Sequence, residues 1–425
     1  MGRRSFCRVA GSGAAGAVVL PWVEGAGPDA GQAIRRLARV VPFLLTGAGA
    51  CGSHPESAAP GMPDSAWSVD ATPIVRIGQV SGAPESQLFQ VGPLARRSDG
   101  AVVVALASEL RFFAADGTWM RTVGRQGDGP GEYRDIESLY RIRGDSLVIW
   151  DRGTRRVTWL TPDGRFVRDA RVAQEQGALV DVAAVLDDGR LVTARHVRML
   201  SRSADYRRDT LSFALRSGGS HGERIPLARL GDEEWHVELR TGAASVTRMP
   251  FSRRALAAAS ADRIYLAETD RPEIRAFAPD GTPTGVLRFP GDPPPVTASL
   301  LDSLADYWHQ ETKAEAATMG YTLPERPSDE YRQETRRLSR VPSLPSVGSL
   351  VVDDRGNLWV REYAPPWRAD AESSRWWVFG SDGSLRARIA IPPGLDVRCI
   401  RGDVVMGTVT DDLGVEYVEG YRLRR

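Results

Sequence analysis

Residues Ile136–Val172 read IESLYRIRGDSLVIWDRGTRRVTWLTPDGRFVRDARV, four apolar runs divided by short polar breaks. Ile136 to Ile142 meets Gly144-Asp145, and Ser146 to Trp150 follows. Arg156 to Thr161 then leads to Asp163-Gly164, and Arg165 to Val172 completes the unit. Asp-Gly between apolar runs predicts a tight hairpin, here a type I′ turn, whose two central residues need positive φ. Four strands joined by such turns make one small antiparallel sheet.

The same unit recurs along the chain. Its first turns fall at Gly100, Gly144, Gly189, Asp262, Gly356 and Gly402, at separations of 44, 45, 73, 94 and 46 residues. Its second turns, Asp116-Gly117, Asp163-Gly164, Asp280-Gly281 and Asp382-Gly383, keep the register. Three intervals near 45 match the period of a four-stranded propeller blade, and the two long ones carry insertions. The final unit has three strands, in Asp396–Arg401, Val404–Val409 and Val415–Arg422. An isolated apolar segment, Thr72 to Gly78, precedes the first unit and is expected to supply the missing outer strand, which protects the sheet edges. The fold class expected is all-β: a six-bladed β-propeller of four-stranded blades, spanning 72–425 and closed by an N-terminal strand. A helical hairpin at 297–340 is expected as an insertion between blades 4 and 5. Sheets stacked on both faces account for unbroken apolar runs such as Ala101 to Ala107.

The loop Thr122–Tyr133, TVGRQGDGPGEY, resembles the inter-blade loop of NHL-type propellers. The phrase after it, Asp145 to Asp151, Arg156 to Leu160 and Pro162-Asp163-Gly164, is similar to that family's blade pattern. The resemblance extends over residues 72–425. It implies a six-bladed ring, and a place among exported or lipid-anchored bacterial proteins without an assigned activity.

The N-terminal stretch has a different character. Arg3-Arg4-Ser5-Phe6-Cys7-Arg8 before Val9–Val23 resembles a twin-arginine leader, departing from it at Gly2 and Cys7. Arg35, Arg36 and Arg39 precede a short apolar run, Val40 to Ala50, and Ala48-Gly49-Ala50-Cys51 resembles a lipoprotein cleavage box. Two leaders in series are redundant, which points to a start assigned too far upstream; a plain Ala/Gly-rich tail is the other reading. On the export reading residues 1–50 are a leader, Cys51 is lipidated, and 51–71 form a flexible tether. The protein then sits in the cell envelope, held by lipid and facing the periplasm or the cell surface. Cys399 remains as a buried apolar side chain.

Charge excludes one class of partner. With 55 Lys and Arg against 54 Asp and Glu, the 425-residue chain lacks the positive field that captures nucleic acid. An apolar share of 42% suffices for a packed core.

The blade topology sorts the connections between two faces. Turns 1–2 and 3–4 share one face and are short. The long segments, 124–134, 197–209, 231–252, 290–346 and 363–375, share the other, which is the expected binding face. In 290–346, Leu300, Leu304, Tyr307 and Trp308 recur at helical spacing, with Thr297 as N-cap and Gly320 as stop; Ser328 caps a second helix. The candidate binding residues on this face are Glu132, Tyr133, His196, Arg198, Trp235, His236, Trp308, Trp367 and Arg368. Trp376 and Trp377 are expected to pack between blades. Gly124, Gly127, Gly129 and Gly131 do not form a phosphate loop, because no Gly-Lys-Ser/Thr ending follows. No G-x-S-x-G elbow and no H-E-x-x-H pair is present, so no catalytic or metal residue is named. The expected role is non-enzymatic binding of a protein, peptide or glycan, without a cofactor. The alternatives are a propeller hydrolase or lyase using Ca²⁺ or Zn²⁺ at the channel mouth, and an assembly scaffold on the membrane.

Overall fold

The computed structural model describes residues 18–21, 67–172, 174, 178–196, 206–217, 222–240, 243–318, 321–369 and 371–425. Cys51, Arg198, Gly320, the tether to residue 66 and all of the leader except 18–21 lie outside the described residues.

The described strands form six antiparallel sheets. The first holds Leu94–Arg96, Val102–Ala105, Leu110–Phe113 and Trp119–Val123. The second holds Ile136–Arg141, Leu147–Asp151, Arg156–Leu160 and Phe166–Arg171. Leu179–Val185 opens the third, Ala255–Ala259 the fourth, Val347–Val352 the fifth and Asp396–Arg401 the sixth. These opening strands adjoin one another in sequence, and the sixth returns to the first, so the sheets stand around a common axis in a propeller-type arrangement. The core follows the same plan, as six apolar clusters that each fill one gap between neighbouring sheets. Phe112 meets Leu139 between the first and second, Trp150 meets Val182, Phe213 meets Phe277, Tyr265 meets Trp377, Trp376 meets Ile400, and Met406 meets Val104. Trp376 and Trp377 thus serve two different gaps.

The sixth sheet is completed from the other end of the chain. Ser68–Ile77 lies outermost against Glu416–Arg424, with Val75 opposite Gly420, Arg76 opposite Glu419 and Ile77 opposite Val418. Its strand begins four residues earlier than the sequence suggests. Ile77 carries the seam into the core, where it joins Leu88, Val404 and Val418.

The Asp-Gly turns differ from the type I′ expectation. At Gly117, Gly164, Gly281 and Gly383 only the glycine has positive φ, between +83° and +90°. The aspartate before it stays on the ordinary side; Asp116, Asp280 and Asp382 accept the amide of the residue two places on at 2.9 to 3.0 Å. Each hairpin then shifts register by one residue beside the turn. This is a type I turn closed by a left-handed glycine and a bulge. Gly144-Asp145, with φ of +71° and +60°, keeps positive φ at both positions.

The third sheet also departs from expectation. Residues 206–209 and 231–240, read from sequence as loop and link, are strand. Tyr206–Arg216 pairs with the 17-residue Arg224–Arg240, which turns back through Ala243–Arg248, and Val18–Pro21 pairs at the edge. Charged side chains hide this ladder: Arg208 stands opposite Glu234 and Arg207 opposite Trp235, yet Arg208 pairs with Glu268 and Asp270, Arg207 with Asp209 and Glu234 with Arg253.

Between the fourth and fifth sheets come α1 (Ala298–Thr318) and α2 (Asp329–Leu338). Thr297 Oγ1 accepts the Leu300 amide at 3.3 Å and Ser328 Oγ the Tyr331 amide at 3.1 Å, as the two caps require. A one-turn helix, α3 (Pro366–Ala369), lies within the fifth sheet. No described helix is long and apolar enough to cross a membrane.

Candidate functional site

The connections between second and third strands, and those between sheets, emerge on one face. α1, α2, α3 and the extension of the third sheet all rise from it. They are joined by a satellite core of Phe251, Leu301, Leu304, Val341 and Leu344, with Trp308, Tyr363 and Trp367 packed against it. Trp367 lies 6.3 Å from the Phe251 ring and 6.5 Å from that of Tyr307. Trp308 and Trp367 therefore spend most of their apolar area holding the helical hairpin down. α2 is fastened to α1 by Arg332–Asp306 at 2.7 Å and Arg336–Asp302 at 2.5 Å. Arg368, next to Trp367, is exposed, and among the described residues its guanidinium has no partner. On the hairpin Tyr331 is exposed, its ring centre 6.5 Å from that of the half-buried His309, whose Nε2 lies 2.8 Å from the Pro324 carbonyl; Tyr321 is exposed as well.

The third-sheet extension forms the other wall. Its centre is Glu234, 1% exposed, whose carboxylate accepts from Tyr206 Oη at 2.7 Å, from Arg253 Nε at 2.9 Å and from the Arg253 amide at 3.1 Å. Burial raises the Glu234 pKa, but the Arg253 and Tyr206 bonds outweigh it, and the carboxyl rests below its ordinary value. Next along the strand, Trp235 Nε1 donates to Asp209 at 3.1 Å. His236 approaches Glu334 on α2, helping to hold that carboxylate down after its larger partner Arg337. Strand extension and helical hairpin thus approach one another at His236 and Glu334, Trp308 and Trp367 pack in the satellite core, Trp235 is held within its own sheet by Asp209, and Arg368 is exposed on α3.

The remaining candidates lie elsewhere. Glu132 braces its own loop, accepting the Gly129 amide at 2.9 Å and Arg125 Nε at 2.8 Å. A Cβ at Gly127 would sit 2.1 Å from the Glu132 carboxylate, so this glycine is dictated by the brace. Tyr133 is 1% exposed in the gap between the first two sheets, which takes its ring away from solvent. His196 Nε2 lies 3.2 Å from Asp181 at the axis end of the same face.

That axis mouth holds groups the sequence reading missed. Glu137 and Asp135 both meet Arg152, at 3.2 and 3.3 Å, and Asp181 faces them from the third sheet. Burial, joined by Asp135 and Asp181 and opposed by Arg152, lifts the Glu137 carboxyl above its usual range. Glu137 and Asp181 are the second or third residues of opening strands, so strand position was the available signal. Among the described residues no three His, Cys, Asp or Glu side chains are grouped to hold a metal ion.

No family model matches the chain, and no curated protein matches it. Solved structures resemble it remotely. A member of the duf4221 family from Bacteroides vulgatus is 8% identical with a TM-score of 0.43, over 84% of this chain and 99% of that one. A gluconolactonase from Xanthomonas campestris is 14% identical with a TM-score of 0.40, over 79% and 87%. Virginiamycin B lyase from Staphylococcus aureus is 8% identical with a TM-score of 0.37, over 84% and 100%. Likeness at this level transfers no activity.

Proposed function

We propose that this chain is an exported six-bladed β-propeller of the NHL type, without catalytic activity of its own, which binds a protein, peptide or glycan on its loop-bearing face. Lipid on Cys51 holds it to the envelope membrane, ahead of the strand that starts at Ser68. The observation that carries the reading is the convergence of three separate insertions on one patch. A 21-residue helix with the segment after its partner, Phe251 from the link that follows the strand extension, and the α3 loop build a shared core there, and Arg368, Tyr331 and Tyr321 are left exposed. Exposed aromatics and an exposed guanidinium on the same set of insertions suit recognition of peptide or sugar rings. The test is affinity capture from envelope extract by the purified protein, run beside a form whose 297–340 segment is replaced by a short linker and beside Tyr331→Ala/Arg368→Ala. The reading expects one ligand retained by the parent and lost from both variants. Equal retention by all three removes this patch from the mechanism.

A propeller enzyme is the second reading, favoured by Glu137, whose raised pKa suits a general acid. Asp181 faces it from the third sheet, with His196 3.2 Å from that carboxylate. Glu137→Gln should then abolish any hydrolase or lyase activity detected on esters, lactones or uronides, and leave ligand capture intact.

A further inference from the structure

The end of the axis opposite the helical insertion has a chemistry of its own. The opening strands of the six sheets finish there, each on a residue paired with the start of the second strand: Arg96 with Val102, Arg141 with Leu147, Val185 with Leu191, Ala259 with Ile264, Val352 with Leu358, and Arg401 with Val404. Three of these six terminal positions are arginine, and they fall on the sixth, first and second sheets, which are consecutive around the ring. The other three are small or β-branched apolar residues.

The arginines converge. Arg96 Nη1 reaches the Arg401 carbonyl at 3.5 Å, while Arg141 and Arg401 both approach the same oxygen of Asp145, each at 3.5 Å. The other Asp145 oxygen accepts the Ser98 amide at 3.0 Å and the Ser98 hydroxyl. The Cys399 thiol lies within the same group; burial pushes its pKa up, and Arg401, Arg96 and Arg141 all pull against that rise. Arg96 has no ion pair among the described residues. Nearby carboxylates are committed elsewhere: Asp99 to Arg97 at 2.9 Å, Asp403 to Arg355 and Arg425 at 3.2 and 3.4 Å, and Asp354 to the Gly402 amide at 3.1 Å. Two guanidinium groups therefore share one carboxylate at distances too long for good bonds, while Arg96, and Arg141 again at 3.2 Å, reach only backbone carbonyls. The Arg141, Asp145 and Arg401 side chains are largely buried, with exposures of 22%, 13% and 14%. Like charges confined in that way repel one another unless an anion joins them.

We propose that Arg96, Arg141 and Arg401 form a binding site for a dianionic oxyanion, phosphate or a phosphate monoester, at the end of the axis opposite the helical insertion. Three guanidinium groups with Asp145 as the one carboxylate that any of them meets suit a dianion, whose oxygens match guanidinium forks. The other half of the ring, Val185, Ala259 and Val352, is apolar, as the organic part of a monoester requires. The site is independent of the ligand patch on the loop-bearing face.

Calorimetric titration of inorganic phosphate into the full chain, in chloride buffer at fixed ionic strength, tests this. The site predicts saturable one-to-one binding, weakened about tenfold or more in Arg96→Gln and in Arg401→Gln. Arg143→Gln, a change at an exposed arginine of the same end, should leave binding as it is. Thermal melts supply the second readout. Phosphate should raise the midpoint of the parent and not that of Arg96→Gln, whose phosphate-free midpoint should equal or exceed the parent's because a repulsion has been removed. No saturable heat, or equal binding by the parent and both glutamine variants, would overturn the site.

Discussion

Gly164 shows how one residue type carries a turn. Its φ is +84°, and a Cβ placed there would come within 2.8 Å of the Phe112 ring on the neighbouring sheet. The glycine therefore answers to backbone conformation and to packing between sheets together. Gly164→Ala should cost about 1–3 kcal/mol, read from the urea midpoint. At Glu234 the issue is charge. Its folded pKa lies below the ordinary value, so the stabilisation it brings is present above pH 4.5 and is lost as the pH falls through the folded value. A stability–pH series should show the parent weakening below that point more steeply than Glu234→Gln, and parallel slopes would remove this carboxylate from the account. The glycine was legible in sequence because Asp-Gly recurs at one blade position. Glu234 was not: its partner Arg253 belongs to a different link, and no local pattern joins them. Tyr133 looked like a loop aromatic because its loop is glycine-rich, and only the fold turns its ring inward.

Among the elements, the second sheet was read from sequence almost strand for strand, since each apolar run is bounded by Gly or Asp. The third sheet was not, although a signal was there. Trp235, Val237 and Leu239 alternate with charged or polar residues in the strand pattern, and the neighbouring run of arginines and glutamates obscured it. The helical hairpin was legible from its caps and its spacing. What it covers was not, because Phe251 and Trp367 come from sheets on either side of it. Replacing 297–340 with a linker exposes that satellite core, so the variant should bind a hydrophobic dye more strongly while its sheets melt cooperatively. Loss of all cooperative melting would mean that the hairpin is part of the ring's own core. The N-terminal strand makes the opposite prediction. Ile77→Ala, at a side chain 2% exposed, should cost about 2–4 kcal/mol, because it opens a cavity at the seam between first and sixth sheets.

The whole molecule is held by closure. Six apolar gaps are equivalent in kind, and the sixth-to-first gap is completed only when Ser68–Ile77 pairs with Glu416–Arg424. The interval arithmetic foretold this, as six units with one strand short leave an isolated apolar segment to fill the place. Arithmetic on turns could not reveal the two ends of the axis, since Arg96, Arg141 and Arg401 are dispersed along the chain and meet only once the ring shuts. Closure is therefore the claim on which both proposed sites rest. Arg76 and Glu419 stand opposite each other across the seam with their charged ends 3.3 Å apart. The double variant Arg76→Cys/Glu419→Cys is accordingly placed for a disulfide within one chain. Peptide mapping after mild oxidation should find position 76 joined to position 419 in monomeric protein; thiols that stay reduced, or a bond formed only between chains, would contradict the closed ring.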